Sequence, residues 1–200
     1  MLDRLLTSKL RLTGRNVFLR APQQGDFDDW AEVRTKSRDF LEPWEPKWPT
    51  SPFSRRDFNK TIRRQAGAAR ARTGFSFFVF SRSGELMGGI TLSNIRYGVC
   101  QNAEIGYWMG QPFAGHGHMH DAIDTVCDFA FDRLGLHRVQ AACIPGNERS
   151  ERLLKKAGFE REGLLRSYLL IGGAWRDHHL YARLAPDNGR KRTKNEGNGF

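Results

Sequence analysis

The first half of the chain alternates between strand-like and helix-like hydrophobic patterns. Apolar runs bounded by turn residues are typical of strands and occur at 16–22, 75–81 and 86–93. The turn RSGE joins the last two runs, which predicts a β-hairpin. Apolar residues at helical spacing indicate one helix after Asp26 and a second after Ser54.

The second half places helices between its strands. Strands are predicted at 102–109 and 137–144, and a closing hairpin turns at Gly172–Gly173. One helix is predicted from Met119 onward, and another over the segment NERSERLLKKAGF, where Gly158 is a typical terminating residue. Hairpins first and β-α-β units afterwards predict an α/β sheet of mixed direction.

Length, hydropathy and cysteine content narrow the class of protein. A chain of 200 residues suffices for one domain with a sizeable core, and no apolar run approaches the roughly 20 residues that a membrane helix needs. The charged N-terminal segment does not resemble a signal peptide. Cys100, Cys127 and Cys143 lack the spacing of a disulfide framework or a structural zinc site. We therefore expect a cytoplasmic protein with one domain over 1–184 and a basic, disordered tail over 185–200.

The net charge of +10 is concentrated in two clusters. Seven basic residues lie between Arg55 and Arg72, where only Asp57 is acidic, and the predicted helix gathers several of them into a stripe. A second basic cluster occupies 190–194. Such clusters favour anionic partners, namely nucleic acid, a ribosomal surface or a phosphate-bearing cofactor. A solvated helix face and a flexible end are the alternative interpretation.

The segment FAGHGHMHDA, from Phe113 to Ala122, allows two chemical interpretations. Its three histidines would share a face for metal ligation only on a strand, whereas the apolar pattern predicts that a helix begins at about residue 118. The alternative is an anion site, because free N–H groups at a helix N-terminus bind phosphate and glycines let the backbone approach it closely. Gly115 and Gly117 therefore favour a pyrophosphate cradle over a metal site.

Two motifs in this order resemble those of the GNAT acetyltransferases. The first is the glycine loop that binds acetyl-CoA in this family, here with Pro112 where the family has glutamine or arginine. The second is the pattern N-x-x-S-x-x-L-x-x-x-G-F, which the chain supplies with Asn147, Ser150, Leu153 or Leu154, and Gly158–Phe159. The segments FLEPW, GGITLSN and GGAWRDHHLYARL are similar to the RimJ/RimL branch, which acetylates the α-amine of ribosomal proteins. The resemblance spans about residues 15–184.

The resemblance implies a GNAT-type fold of the α/β (α+β) class. Its central sheet is expected to be mixed, mostly antiparallel and twisted, with about seven strands flanked by about four helices. Acetyl-CoA is the implied co-substrate, and no metal is expected. The residues expected to contact acetyl-CoA are Trp108, Met109, Ala114, Gly115, His116, Gly117, His118, Met119 and Asn147. For Trp108 and Met109 the expected contact is through the backbone of a strand that splays from its neighbour.

Acetyl transfer to an amine needs a base for the amine and a proton donor for the leaving thiolate. The resemblance assigns the thiolate to Ser150, through a hydrogen bond to sulfur or through a water molecule. For the base we expect Glu104, a carboxylate in an otherwise apolar strand, with Asp177, His178 or a water chain as alternatives. Cys143 could instead carry the acetyl group covalently, although a buried and inert thiol is the simpler interpretation.

We predict an acetyl-CoA-dependent N-acetyltransferase that works by direct attack in a ternary complex. The expected acceptor is the N-terminal α-amine of a protein, above all a ribosomal protein. Two alternatives stay open: acetylation of a small amine such as an antibiotic or polyamine, and a ribosome- or RNA-binding module with a weak catalytic site. Trp44 and Trp48, in the proline-rich loop 42–52, either pack on the core or line the acceptor mouth. A monomer and a homodimer both fit the sequence, and no membrane partner is expected.

Overall fold

One eight-stranded sheet forms the centre of the computed structural model, which describes residues 10–48 and 53–186. The strands are β1 Arg11–Thr13, β2 Val17–Arg20, β3 Phe75–Ser81, β4 Leu86–Arg96, β5 Asn102–Met109, β6 Arg138–Cys143, β7 Glu160–Ile171 and β8 Ala174–Leu184. Their order is β1-β2-β3-β4-β5-β6-β8-β7, and the β5–β6 pair is parallel whereas the other neighbours are antiparallel. The mixed, mostly antiparallel sheet is confirmed, with β1 as an additional short strand.

Helices cover both faces of this sheet. They are α1 Phe27–Lys36, α2 Arg38–Leu41, α3 Arg55–Arg70, α4 His118–Asp128 and α5 Glu148–Lys156. The apolar run of β3 shows why two layers form, because alternate side chains point to opposite faces of a strand. Phe77 and Val79 join the core under α4, whereas Phe78 and Phe80 join a second cluster with Phe58 of α3.

The predicted first helix is divided in two at Ser37. This residue is fully buried, and its hydroxyl accepts a hydrogen bond from the N–H of Gln111 at 2.9 Å. The bond ties the α1–α2 junction to the loop that follows β5. Continuous helical periodicity hides this break, because the partner of Ser37 lies 74 residues further along the chain.

The chain ends of the predicted domain are only partly described. Ala185 still donates its N–H to the carbonyl of His137 at 2.8 Å, one residue beyond the predicted end of the domain. The basic cluster at 190–194 and the N-terminal segment 1–9 lie outside the described residues. Within the described part of the chain, no helix combines the length and the hydropathy needed to span a bilayer.

Asp121 fixes the start of α4 against the hairpin of β1 and β2. Its buried carboxylate accepts backbone hydrogen bonds from Arg15, Asn16 and Val17, at 2.9, 2.6 and 3.2 Å. Gly14 completes the contact, since a Cβ there would lie 2.7 Å from the carboxylate. This anchor sets the position of the helix whose N-terminus follows the glycine loop.

Replacing Asp121 with alanine is expected to destabilise the fold by about 2–4 kcal/mol, because three backbone N–H groups lose a charged acceptor in a largely buried setting. Denaturant unfolding followed by tryptophan fluorescence measures this change. Asp132→Ala is the matched control, since Asp132 is exposed on the segment that follows α4. Equal stability of the two variants would show that the anchor does not hold α4.

Candidate active site

The sheet opens between its two parallel strands. β5 and β6 pair only at Asn102–Arg138, Ala103–Val139 and Glu104–Gln140. Beyond these pairs β5 stays bonded to β4 as far as Met109, and β6 stays bonded to β8 as far as Cys143. The facing edges of β5 and β6 therefore carry unpaired backbone groups, which lets an extended ligand bind between them.

The direction of the backbone groups of β5 follows from one hydrogen bond. The N–H of Gly110 donates to the carbonyl of Met87 at 2.8 Å, so it points toward β4. Successive residues of a strand point their N–H groups to alternate sides. The N–H groups of Met109 and Tyr107 therefore point into the gap, whereas that of Trp108 points toward β4.

The predicted glycine loop lies at the end of this gap and leads into α4. Gly115 and Gly117 have φ angles of 85° and 84°, a region in which side chains with a Cβ are strained, and Gly117 caps the helix. Within the described residues the N–H groups from Gly115 to His120 make no hydrogen bond, and the first helical bond joins Asp121 N–H to the Gly117 carbonyl at 3.1 Å. Free N–H groups at the positive end of a helix suit a phosphate group.

The three histidines of the loop have different surroundings. The rings of His116 and His118 lie 6.2 Å apart, and Nδ1 of His118 is buried without a partner among the described residues. His120 points away, with its Nε2 3.1 Å from the carbonyl oxygen of Lys156. In the part of the chain that the structure describes, no three His, Cys, Asp or Glu side chains converge as metal ligands would.

Glu104 lies on the face of β5 that α3 covers. Its Oε2 accepts a hydrogen bond from the amide of Asn94 at 2.8 Å, and its side chain lines a groove of about 720 Å³. A neighbouring cavity of about 240 Å³ is lined by Trp108 and shares Ser76 and Thr91 with that groove. The two even-numbered residues Glu104 and Trp108 thus face adjoining cavities between α3 and the sheet.

The side chains of Trp108 and Met109 are used for packing. The Trp108 ring lies under the guanidinium of Arg34, 4.9 Å away, and edge-on to Phe78. Gly89 makes room for it, since a Cβ there would meet the indole nitrogen at 2.4 Å. Met109 is buried in the core under α4. Any contact of these two residues with a ligand in the gap therefore falls to the backbone.

Ser150 lies on the opposite face of β5, in the first turn of α5. Asn147 caps this helix through a hydrogen bond from the Ser150 N–H to its Oδ1, at 3.2 Å. The Ser150 hydroxyl is 2.8 Å from the hydroxyl of Tyr107. Burial raises the pKa of Tyr107, so its hydroxyl stays protonated and can donate.

Tyr107 was not predicted from the sequence. Strand alternation points the side chains of Tyr107 and Glu104 to opposite faces of the sheet, and the helix that carries Ser150 packs on the face of Tyr107. The contact between Tyr107 and Ser150 becomes apparent only once the register of β5 and the packing of α5 on the sheet are known. Tyr107 and Ser150 together form a hydroxyl pair at the gap between β5 and β6.

The remaining candidates for the base and the nucleophile have other surroundings. Asp177 is exposed, and its carboxylate accepts the backbone N–H of Ser167 at 2.8 Å, which holds a bulge of β7. His178 is buried, with its Nδ1 2.9 Å from the Arg176 carbonyl oxygen. Burial also raises the pKa of the Cys143 thiol, which favours the neutral form over a reactive thiolate.

The proline-rich loop divides its two tryptophans between packing and exposure. Trp48 is buried, donates to Glu45 Oε2 at 2.7 Å and stacks near Arg34, whereas Trp44 is 40% exposed. The tip of the β7–β8 hairpin joins this loop through a hydrogen bond from Gly172 N–H to the Glu45 carbonyl at 3.2 Å. Residues 49–52 of the loop lie outside the described residues.

Comparison with known proteins agrees with this geometry. The acetyltransferase (GNAT) domain family model matches residues 16–160. The chain is 33% identical to the [ribosomal protein uS5]-alanine N-acetyltransferase of Escherichia coli, over 90% of this chain and 93% of that protein. It is 32% identical to the probable N-acetyltransferase YjcK of Bacillus subtilis, over 88% and 98% of the two chains.

The fold has a close counterpart among solved structures. RimJ of Mycobacterium smegmatis, solved in complex with CoA-disulfide, superposes with a TM-score of 0.81 at 31% identity, over 88% of this chain and 86% of that one. The family model and the relatives together show that the chain belongs to the GNAT N-acetyltransferases.

Proposed function

We propose that the protein transfers the acetyl group of acetyl-CoA to the N-terminal α-amine of a protein, with a ribosomal protein as the acceptor. The transfer is a direct attack within a ternary complex. The observation that carries this proposal is the division of β5, which presents Glu104 to the groove under α3 and Tyr107 with Ser150 to the opposite side. Base and proton donor thus flank the gap between β5 and β6.

Acetyl-CoA fits the residues of this gap and the loop beside it. The free N–H groups from Gly115 to Met119 would hold the pyrophosphate, as anions bind at helix N-termini. The N–H groups of Met109 and Tyr107 would hold the extended pantetheine and acetyl part, and Asn147 borders the same gap. When bound, acetyl-CoA supplies an activated acyl group whose thiolate leaves once the amine has attacked.

The chain's own groups then manage the protons. Glu104 accepts the proton of the α-amine, directly or through water, and Asn94 holds the carboxylate in place. Backbone N–H groups of β5 that point into the gap stabilise the developing oxyanion. Ser150, hydrogen-bonded to Tyr107, donates a proton to the leaving sulfur.

The charge around the groove supports the proposed acceptor class. Arg64 and Arg96 line it together with Glu104, so a small polycation such as a polyamine or an aminoglycoside would meet like charges. A protein N-terminus carries one amine with a pKa near 8, which needs only a modest base. The relatives named for ribosomal-protein acetylation support the same choice.

The basic stripe on α3 suits RNA around such an acceptor. Arg55 is paired with Asp28 at 2.6 Å, whereas the stripe shows no ion pair within the described residues. Its members are Arg56, Lys60, Arg63, Arg64 and Arg70. They fall within an arc of about 120° and over about 21 Å of helix. Because most are arginines, which bind phosphates bidentately, we propose that the stripe contacts RNA next to the acceptor.

We place this reaction in the cytoplasm. Cys100, Cys127 and Cys143 are all free thiols, and Cys100 is exposed. An exposed thiol that forms no disulfide agrees with a reducing compartment. The vestigial-module alternative is disfavoured because the free helix N-terminus, Glu104 and the Tyr107–Ser150 pair are all in place.

Gly117→Ala tests the loop. A Cβ at a φ of 84° is strained and shifts the N–H groups that would hold the pyrophosphate, so the KM for acetyl-CoA should rise at least about tenfold. Gly84→Ala is the matched control, because Gly84 has a φ of 96° in the remote β3–β4 turn. Steady-state kinetics with and without EDTA measure both effects. A KM unchanged in Gly117→Ala, or activity lost to EDTA and restored by zinc, would contradict the assignment.

Glu104→Gln tests the base and the acceptor together. At pH 7 roughly one α-amine in ten is neutral, so at lower pH the reaction depends on the base to remove the amine proton. The kcat/KM of the variant should therefore be at least about tenfold below wild type at pH 6.5. It should recover toward wild type at pH 9, where most of the amine is already neutral. Glu85→Gln, in the exposed β3–β4 turn, is the control. Mass spectrometry of peptide products should locate the acetyl group on the α-nitrogen. Acetylation of lysine Nζ, or a defect independent of pH, would refute the proposal.

The triple variant Arg56→Gln, Lys60→Gln and Arg63→Gln tests the stripe. Acetylation of uS5 assembled in the small ribosomal subunit should slow about tenfold or more, and the slope of log kcat/KM against log salt should become shallower by about 3. Acetylation of a free uS5 N-terminal peptide should change less than twofold. The control removes three other exposed charges, by Lys36→Gln, Arg133→Gln and Lys155→Gln. Equal losses in both triple variants, or an unchanged salt slope, would exclude the stripe.

A further inference from the structure

A fully buried tyrosine hydroxyl without a hydrogen-bond partner among the described residues lies on the same face of the sheet as the Tyr107–Ser150 pair. Tyr181 of β8 has no exposed surface, and its hydroxyl makes no hydrogen bond among the described residues. Leaving a buried hydroxyl unpaired costs about 1–3 kcal/mol. Such groups usually bind an internal water or serve the chemistry of a nearby site.

The register of the sheet turns Tyr181 toward that pair. It lies opposite Ala141 on β6, two residues from Cys143, on the side that α5 covers. Burial raises the pKa of Tyr181, with further contributions from Glu151 and Cys143 that Arg161 of β7 opposes. Tyr181 in turn contributes to the raised pKa of Tyr107, which burial dominates. The hydroxyl is therefore within electrostatic reach of both the pair and Glu151.

Glu151 connects this buried cluster to solvent. Its Oε1 lies 3.1 Å from Nδ1 of His179, and the two side chains keep 21% and 14% of their surface exposed. Glu151 is the residue after Ser150 on α5, and His179 is two residues before Tyr181 on β8. A titratable pair thus borders the buried hydroxyls on one side and water on the other.

We propose that Tyr181 relays protons from the Glu151–His179 pair to Tyr107 and Ser150, through a water bound at its unpaired hydroxyl. The proposal rests on the function proposed above. As the tetrahedral intermediate collapses, the C–S bond breaks and its electron pair goes to sulfur, which takes the Ser150 proton. Tyr107 then donates a proton to Ser150, and Tyr181 donates one to Tyr107. The Glu151–His179 pair reprotonates Tyr181 and takes a proton from solvent in its turn. The proton of the amine leaves separately through Glu104.

Tyr181→Phe removes the hydroxyl and keeps the ring. We expect kcat to fall about tenfold and the KM for acetyl-CoA to change less than twofold, because the relay acts only when the thiolate leaves. The midpoint of thermal unfolding should change little, since the hydroxyl loses only its contact with the internal water. The variant-to-wild-type ratio of kcat should rise toward one as the pH falls from 8.5 to 6.5, because solvent then protonates the thiolate more readily. Acceptor protonation affects both enzymes and cancels in this ratio.

Glu151→Gln provides a second variant on the same route. Its defect should resemble that of Tyr181→Phe, and the double variant should lose no more than either single variant, as members of one relay are not additive. Glu148→Gln is the control, since Glu148 is exposed on α5 and pairs with Arg152. Additive losses, a pH-independent ratio, or a kcat within twofold of wild type for Tyr181→Phe would overturn the relay.

The readout separates this proposal from the acceptor assignment. Release of the CoA thiol is followed with any primary amine that the wild-type enzyme acetylates, whatever its identity. A wild-type enzyme that acetylates no amine would refute the proposed function. An active wild-type enzyme with an equally active Tyr181→Phe variant would refute only the relay.

Discussion

The divergence of two parallel strands is the constraint on which the rest of the site depends. β5 and β6 share three residue pairs and then separate after Glu104 and Gln140. Because each strand stays bonded to its outer neighbour, the sheet opens without losing its other ladders. The opening exposes backbone N–H groups that have no partner within the sheet, and exposed groups of this kind gain most from an extended ligand. The glycine loop and the N-terminus of α4 lie at its end.

The alternation of side chains along β5 turns this opening into a two-sided site. Glu104 and Trp108 face the groove under α3, whereas Tyr107 and Met109 face the layer of α4 and α5. In the proposed mechanism, the proton that leaves the amine and the proton that reaches the sulfur would therefore travel on opposite sides of one strand.

Local signals predicted those features of the candidate site whose geometry depends on neighbouring residues. Gly115, Gly117 and Asn147 could be placed because a positive φ angle and a helix cap each leave a mark within a few residues. Glu104 was singled out as the candidate base because a carboxylate is unusual in an apolar strand, and that role stays a prediction. The sequence also predicted seven of the eight strands and the mixed sheet, since their hydrophobic periods are regular.

Contacts across long sequence distances were not predictable in this way. Tyr107 meets Ser150 across 43 residues, and Asp121 anchors the first hairpin across 104 to 106 residues. The break at Ser37 and the unpaired hydroxyl of Tyr181 likewise depend on strand register and on how the helices pack on the sheet.

A crystal structure with a conjugate of CoA and a uS5 N-terminal peptide tests the two-sided site most directly. The account predicts pyrophosphate on the Gly115–Met119 loop, the thioether between β5 and β6, and the peptide leaving past Glu104 under α3. A peptide leaving on the side of Tyr107 and Ser150 would contradict it.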